Sequence, residues 1–350
     1  MATIKDIAKV AGVSVTTVSR ALNGYSDVNE KTRKKIKAVA KELEYSPNVL
    51  ARSLVVNKTK TIGLIVSELS RSESKDNFTF KVLRGINDCA GELGYDLVLF
   101  STSPAKQKEK TYTQLCRERR VDGAIIQGIR MDDPYLEEVL QSDIPCVLVD
   151  IPVHSESVGY VTTDNVFGAK KAVKHLLDNG HREIAMINGH DQAFVSRERL
   201  EGYRLALAEA GIRYREDLVV NGEFREAVAA DKTRQLLKQH PKITAIFCSS
   251  DLMALGSMNG ARSIGYEIPE DLSIVGYDDN ILAPYANPPL TTIAQNEYQM
   301  GFEAARLLVG MLEQKKKSHA KILDSELVIR NSTATVTNKD KEVGGRFTTT

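Results

Sequence analysis

The stretch TIKDIAKVAGVSVTTVSRALN, Thr3 to Asn23, reads as two short helices hinged at Gly12. Thr3 and Asp6 are spaced as a capping box, and Ile4, Ile7, Ala8 and Ala11 fall on one face at helical spacing. Gly12 is free to end that helix in the left-handed region, Val13 plugs the corner, and Ser14 is a good N-cap for the next helix. The second helix keeps Val18, Ala21 and Leu22 inward, which leaves Val15, Thr16, Thr17, Ser19 and Arg20 on the exposed face. A third pattern after Asn29 spaces Ile36, Val39, Ala40 and Leu43 to close a three-helix core. Its outer face carries Lys31, Arg33, Lys34, Lys35, Lys37 and Lys41.

Charge gives this head a direction. Residues 1 to 60 hold twelve Lys or Arg against five Asp or Glu, a net of +7, whereas the whole chain carries only +1. A basic head on an acidic body, with hydroxyl side chains opening the second helix, has the pattern of a helix-turn-helix that offers a recognition helix to the DNA major groove.

The 350 residues are too many for one ordinary domain and suit a head plus a two-lobed body. No run reaches the roughly 18 apolar residues of a membrane span, and there is no apolar signal region, which places the chain in the cytoplasm. Cys89, Cys116, Cys146 and Cys248 are far apart and form no C-x-x-C pair, so they read as reduced thiols rather than disulfides or zinc ligands. No metal or cofactor is expected.

A short segment from Asn48 to Val56 and a polar link, Asn57 to Lys60, read as a hinge region. From Thr61 onward apolar runs near 61–67, 95–100, 122–127, 145–149, 183–188, 244–248 and 272–277 alternate with helical stretches. Those stretches lie near 79–93, 107–119, 165–179, 196–210, 225–239, 251–265 and 296–313. Such alternation predicts doubly wound parallel sheets, and this many strands suits two sheets rather than one.

In open α/β sheets, ligands bind beyond the carboxyl ends of the strands. Asp150 follows CVLV, Asp251 follows AIFCSS, and Asp278 follows SIVGY; Arg197 comes soon after AMING, and Phe224 follows DLVVNGE. Acids, an arginine and an aromatic ring together suit a polyhydroxylated ligand, because charged groups bind vicinal hydroxyls in pairs while rings cover apolar sugar faces. Each residue also has a plainer reading: Asp251 and Asp278 as helix caps, Arg197 paired with Glu201, Phe224 as core.

The head motif, YSPNVLARSL, SRERLEGY, SSDLMALG, SIVGYDD and PPLTTI occur in order, and together they resemble the lactose-repressor/galactose-repressor family of bacterial transcription regulators from about residue 2 to about residue 335. The resemblance implies an all-α helix-turn-helix head (1–47), a hinge helix and linker (48–60), and an α/β body (61–337) of two doubly wound parallel-sheet lobes of the periplasmic-binding-protein type. It assigns 61–160 and 292–320 to the lobe near DNA, and 161–291 and 321–337 to the distal lobe. Val15, Thr16 and Arg20 would read base edges, with Thr3, Ser14, Thr17, Ser19 and Asn23 as phosphate-side support. Leu54 would wedge into a minor-groove base step beside Asn48, Ala51 and Arg52. Phe78, Asp150, Arg197, Phe224, Ser250, Asp251 and Asp278 would contact an effector between the lobes.

Two departures bear on the effector. Asp76-Asn77-Phe78-Thr79, preceded by SRSESK, replaces the family's Asn-Pro-aromatic-aromatic run, and Ser250 stands where lactose-type members carry Asn. The longer loop before Phe78 is similar to that of members answering to maltose or another glucoside. The tail 338–350 is polar, reads as disordered and lacks leucine heptads, so a homodimer on a pseudopalindromic operator is expected rather than a tetramer. Two other readings remain open here: a global catabolite regulator whose corepressor is a phosphorylated carrier protein, and a sugar-binding or sugar-modifying protein. No phosphate-loop motif supports an enzyme.

Overall fold

The capping box at Thr3 closes in both directions: Asp6 Oδ2 accepts from the Thr3 backbone at 2.8 Å, and Thr3 Oγ1 accepts from the Asp6 backbone at 3.4 Å. Helix α1 (Ile4–Ala11) therefore starts where the sequence indicates, and Gly12 ends it at φ 67°. Ser14 Oγ accepts from the Thr17 backbone at 3.1 Å and caps α2 (Val15–Leu22), while Asn29 caps α3 (Glu30–Glu42). Ile7, Ala11, Val18, Ala21, Ile36 and Val39 form the shared core of the three helices.

In this computed structural model the described residues are 2–45, 58–67, 77–102, 110–153, 155, 157–314 and 320–336. They form two units that meet at Thr59 and Lys60 in sequence. The expected hinge residues Asn48, Ala51, Arg52 and Leu54, and the tail 338–350, lie outside the described residues. Within the described residues no helix is long and apolar enough to cross a membrane.

The body contains two six-stranded sheets. The first holds β1 (Thr61–Ser67), β2 (Asp96–Thr102), β3 (Gly123–Gln127), β4 (Cys146–Val149), β5 (Val158–Thr163) and β11 (Ala320–Leu323), ordered β11-β5-β4-β3-β1-β2 and parallel throughout. The second holds β6 (Ile184–Asn188), β7 (Val219–Asn221), β8 (Ala245–Cys248), β9 (Ser273–Asp278), β10 (Thr291–Gln295) and β12 (Ser325–Val328), ordered β12-β10-β9-β8-β6-β7. It is parallel except for β12, which runs antiparallel to β10. Leaving aside the last strand of each, both sheets have the doubly wound order 2-1-3-4-5, with switch points between β1 and β3 and between β6 and β8.

Three crossings join the lobes, and each falls a few residues later than the resemblance implied. The chain leaves the first sheet after Thr163, returns after Gln295, and leaves again after Leu323. All of β10 thus belongs to the second lobe, because its backbone pairs with β9 and β12. The strands β5, β10, β11 and β12 and the helix Leu136–Gln141 were not read from the sequence; most of them are too short for a periodic signal. The four cysteines form no disulfide and are buried, and burial pushes the Cys116 thiol up to about 11 and that of Cys248 to about 12, which keeps those two unreactive.

In the first lobe the helix Phe78–Glu92 lies against the helix Glu297–Leu312 at backbone contact. A Cβ at Gly301 would fall on the Val82 carbonyl oxygen, and one at Gly85 on that of Tyr298. Backbone cannot give way as a side-chain tip can. Gly301→Val is therefore expected to cost about 3 kcal/mol of stability through overpacking, seen as a lowered Tm in thermal unfolding; an unchanged Tm would show that the helices part freely.

Candidate functional site

In the head, the fold turns one face of α2 outward. Val15, Thr16 and Arg20 are exposed, Val15 at 46%. Arg20 is held in place by Asp27 at 2.7 Å and lies over the Tyr25 ring at 4.8 Å, so its guanidinium is positioned but not buried. The hydroxyls of Ser14 and Thr17 bond each other at 2.8 Å, and Asn23 donates to Ser19 Oγ at 3.4 Å. Arg33 departs from the expected basic outer face: it is half-buried and donates to the carbonyls of Tyr25 at 2.7 Å and Val28 at 3.1 Å. It pins the loop between α2 and α3.

In the body, the carboxyl ends of strands from both sheets meet around a cavity of about 150 Å³. Phe78 and Asp150 come from the first lobe, the latter just past β4; Arg199, Phe224, Ser250 and Asp278 come from the second, with Val195, Leu252, Asn280 and Gln295 completing the wall. Five of the seven residues named from sequence thus line one space. The backbone there is strained: Asp150, Glu223, Phe224, Asp278 and Asp279 all have positive φ, and each such residue costs on the order of 1–3 kcal/mol that the surrounding packing must offset.

Arg197 is outside. It is exposed and, among the described residues, donates to the Asp191 carbonyl at 3.3 Å. The cavity's arginine is Arg199, 3% exposed, which donates to Asn165 Oδ1 at 2.9 Å and to the Ser249 carbonyl at 2.5 Å. Its guanidinium lies 3.7 Å from the Tyr277 ring centroid and 3.7 Å from Asp278 Oδ1. The reason is helical phase. Ser196, Arg199, Tyr203 and Ala206 form the buried stripe of the helix Phe194–Glu209, and position 197 falls on the opposite side. That stripe was available in the sequence; Gln295, an amide at the end of a short strand, gave no comparable signal.

Asp251 also lies off the wall. It is wholly buried, its Oδ1 accepting from Thr292 Oγ1 at 2.5 Å and its Oδ2 from the Asn280 backbone at 2.6 Å. It anchors the turn after β9 rather than facing the cavity, and the N-cap of the helix Asp251–Arg262 is Ser250. Burial pushes the Asp251 carboxyl up to about 7, against the pull of its two hydrogen bonds. Asp150 is raised as well, chiefly by burial, with Arg199 and the Thr162 hydroxyl, 2.9 Å away, drawing it back. Gln295 Nε2 donates to Asp278 Oδ1 at 2.7 Å and orients that carboxylate.

Residues 3–48 match the family described as bacterial regulatory proteins, lacI family, and residues 173–333 match the periplasmic binding protein-like domain. The HTH-type transcriptional repressor PurR of Photobacterium profundum is 36% identical over 334 residues, covering 95% of this chain and 98% of that protein. The HTH-type transcriptional regulator CelR of Thermobifida fusca is 36% identical over 333 residues, covering 94% and 98%. Among solved structures, a CelR–cellobiose complex aligns with TM-score 0.74 at 33% identity, covering 95% of this chain and all of that one. A lac repressor dimer bound to operator and the anti-inducer ONPF aligns with TM-score 0.80 at 28% identity, covering 95% and 99%.

The buried acid has a pH signature. Because folding raises the Asp251 pKa from an ordinary 3.8 to about 7, the protonated form is favoured in the folded state. The stability this group contributes is complete below its unfolded value and is lost as pH rises through about 7. Asp251→Asn is expected to flatten that decline in urea unfolding compared at about pH 5 and about pH 8; a variant with the wild-type difference would show that this carboxyl ionises freely.

Proposed function

The chain belongs to the lacI family of bacterial regulatory proteins and is a DNA-binding transcriptional repressor with a ligand-binding body, and we propose that a small sugar or sugar-like effector held between the lobes sets its operator affinity. The observation that carries this reading is the composition of the interlobe cavity: Phe78 and Phe224 supply rings, while Asp150, Asp278 and Arg199 supply paired acceptors and donors. That set matches a polyhydroxylated ring. A relative solved with cellobiose makes a glucoside the first class to test, with maltose beside it. At about 150 Å³ the cavity is smaller than the roughly 300 Å³ from which ligand pockets usually start, so admitting a disaccharide requires the lobes to part. An effector shifts the lobe arrangement only by its differential affinity for the two states.

The proposal extends to the DNA contacts. Val15, Thr16 and Arg20 read bases, Thr3, Ser14, Thr17, Ser19 and Asn23 support the phosphate side, and Leu54 with Asn48, Ala51 and Arg52 engages the minor groove. A single recognition helix reads few base pairs, so the chain acts as a homodimer on a pseudopalindrome at the bacterial nucleoid. The exposed Ile281, Tyr285 and Ile329 of the second lobe support such pairing, since large apolar side chains favour a covered face. Relatives of this length and similarity are regulators, which favours binding over catalysis in the cleft.

Two measurements test it. Arg20→Ala is expected to relax specificity at one base position at a cost of about 1–3 kcal/mol, read by mobility shift on operator variants; equal loss on every sequence would contradict base reading. With full-length protein, Arg199→Ala is expected to abolish the Tm rise given by cellobiose or maltose, whereas Arg197→Ala keeps it. If both variants respond as wild type does, the cleft is not the effector site. If neither sugar moves wild-type Tm or operator binding but a phosphorylated carrier protein does, the regulator answers to a protein corepressor.

A further inference from the structure

Four buried polar atoms at the carboxyl edge of the second sheet have no hydrogen-bond partner among the described residues: Asn188 Oδ1, His190 Nδ1, Ser196 Oγ and Ser249 Oγ. Asn188, Ser196 and Ser249 are 5%, 1% and 0% exposed. A buried polar atom left unmet costs on the order of 1–3 kcal/mol, so four gathered in one place ask for an explanation.

They share one neighbourhood. Strands β6 and β8 are parallel neighbours whose register ends at Ile187 and Cys248, so the next residues, Asn188 and Ser249, stand side by side at the switch point of the sheet. Asn188 Nδ2 donates to the Ser196 carbonyl at 3.0 Å, which brings the first turn of the helix Phe194–Glu209 onto the same spot. The Phe224 ring closes the group. It meets the His190 ring edge-on at 5.5 Å between centroids. It also lies flush on Gly189, where a Cβ would strike the ring and come within 2.6 Å of Ser196 Oγ. Phe224 and the adjoining Ser250 line the cavity described above, so the ring stands between that cavity and the four polar atoms. Both Glu223 and Phe224 sit at positive φ, a costly loop conformation that places this ring.

We propose that the polar cluster behind Phe224, Asn188, His190, Ser196 and Ser249, is a second subsite of the cleft that opens when the Phe224 ring moves aside, and that it takes an uncharged, hydroxyl-bearing part of the ligand. The proposal rests on the cleft being the effector site. An amide oxygen, two hydroxyls and an imidazole nitrogen offer donors and acceptors without net charge, the complement of sugar hydroxyls, which are both donor and acceptor. Among the described residues a phosphate or carboxylate finds no uncommitted cation beside these atoms, since Arg130, which acts on His190, is held by Asp132 at 2.9 Å. The adjoining cavity sets two carboxylates, Asp150 and Asp278, against one guanidinium already bonded to Asn165 and Ser249. The cluster therefore selects a neutral oligosaccharide-like ligand, one ring against Phe78 and a further hydroxylated unit reaching the cluster once Phe224 has moved, over a phosphorylated sugar.

The experiment compares full-length wild type with Ser196→Ala and Ser249→Ala, using cellobiose, maltose, glucose and glucose 6-phosphate as probes. Without sugar, each variant is expected to melt at or above the wild-type Tm, because it deletes a hydroxyl with no hydrogen-bond partner among the described residues. With whichever disaccharide binds wild type, calorimetry is expected to show a Kd about tenfold weaker in each variant, and glucose 6-phosphate to bind wild type at least about tenfold more weakly than glucose. A sugar-free Tm lowered by more than about 3 °C would make the hydroxyls structural and overturn the subsite while leaving the cleft reading intact. Unchanged disaccharide affinity in both variants, or glucose 6-phosphate binding as tightly as glucose, would overturn it too. Wild type that binds none of the neutral sugars would remove the cleft reading, and the subsite with it.

Discussion

A buried guanidinium organises the body. A guanidinium withdrawn from water is tolerated only where hydrogen bonds and opposite charge replace the solvent. The fold supplies these from four directions: Asn165 at the first lobe crossing, the Ser249 carbonyl at the end of β8, the face of Tyr277 on β9, and Asp278 one residue further on. Asp278 and Arg199 itself line the cavity, and Ser249 directly precedes the lining residue Ser250. Moving any one of the four partners leaves part of a buried charge unmet, so satisfying Arg199 and shaping the cavity are the same requirement.

The fold class was legible because its signals are long. Seven strand runs and seven helical stretches were readable from periodicity, and the structure places a strand or helix at each, with the helix expected over 107–119 described only from Tyr112 to Arg119. The elements that escaped have four to six residues and most of them flank the lobe crossings, which explains why the expected boundaries sit a few residues early. Asp150, Phe224 and Asp278 were found because each follows a strand at a carboxyl edge, a rule of topology rather than of chemistry, whereas Phe78 and Ser250 came only with the family resemblance. Arg197 failed because type was read without phase: two arginines in SRERLEGY differ only in which side of the helix they occupy. Asp251 failed for a different reason. A carboxylate at a strand end looks the same in sequence whether it faces a ligand or anchors the neighbouring turn, and only the positions of Thr292 and Asn280 separate the two.

The acids therefore have different tasks. Asp251 holds the backbone of Asn280, and Asp279 pairs with Arg330 at 2.8 Å; between them they fix a turn in which both Asp278 and Asp279 have positive φ. Asp278 is left as the carboxylate that turn presents to the cavity. The strain includes the residue whose direction matters, and buried bonds on either side prevent its relaxation.

Gln295 carries the consequence to the lobe crossings. It is the last residue of β10, directly before the chain returns to the first lobe, and it donates to Asp278 while accepting from Thr163 Oγ1 at 3.1 Å. Thr163 is in turn the last residue of β5, where the chain first leaves that lobe. A group that binds Asp278 competes with Gln295 for the carboxylate, and Gln295 spans two of the three strands through which the lobes are joined. The third crossing is a single residue, Asp324, between β11 and β12. With so little chain at the joints, relative motion of the lobes has to be taken up where Thr163, Gln295 and Asp324 lie, so a contact at Asp278 acts next to the pivot rather than at a distance from it.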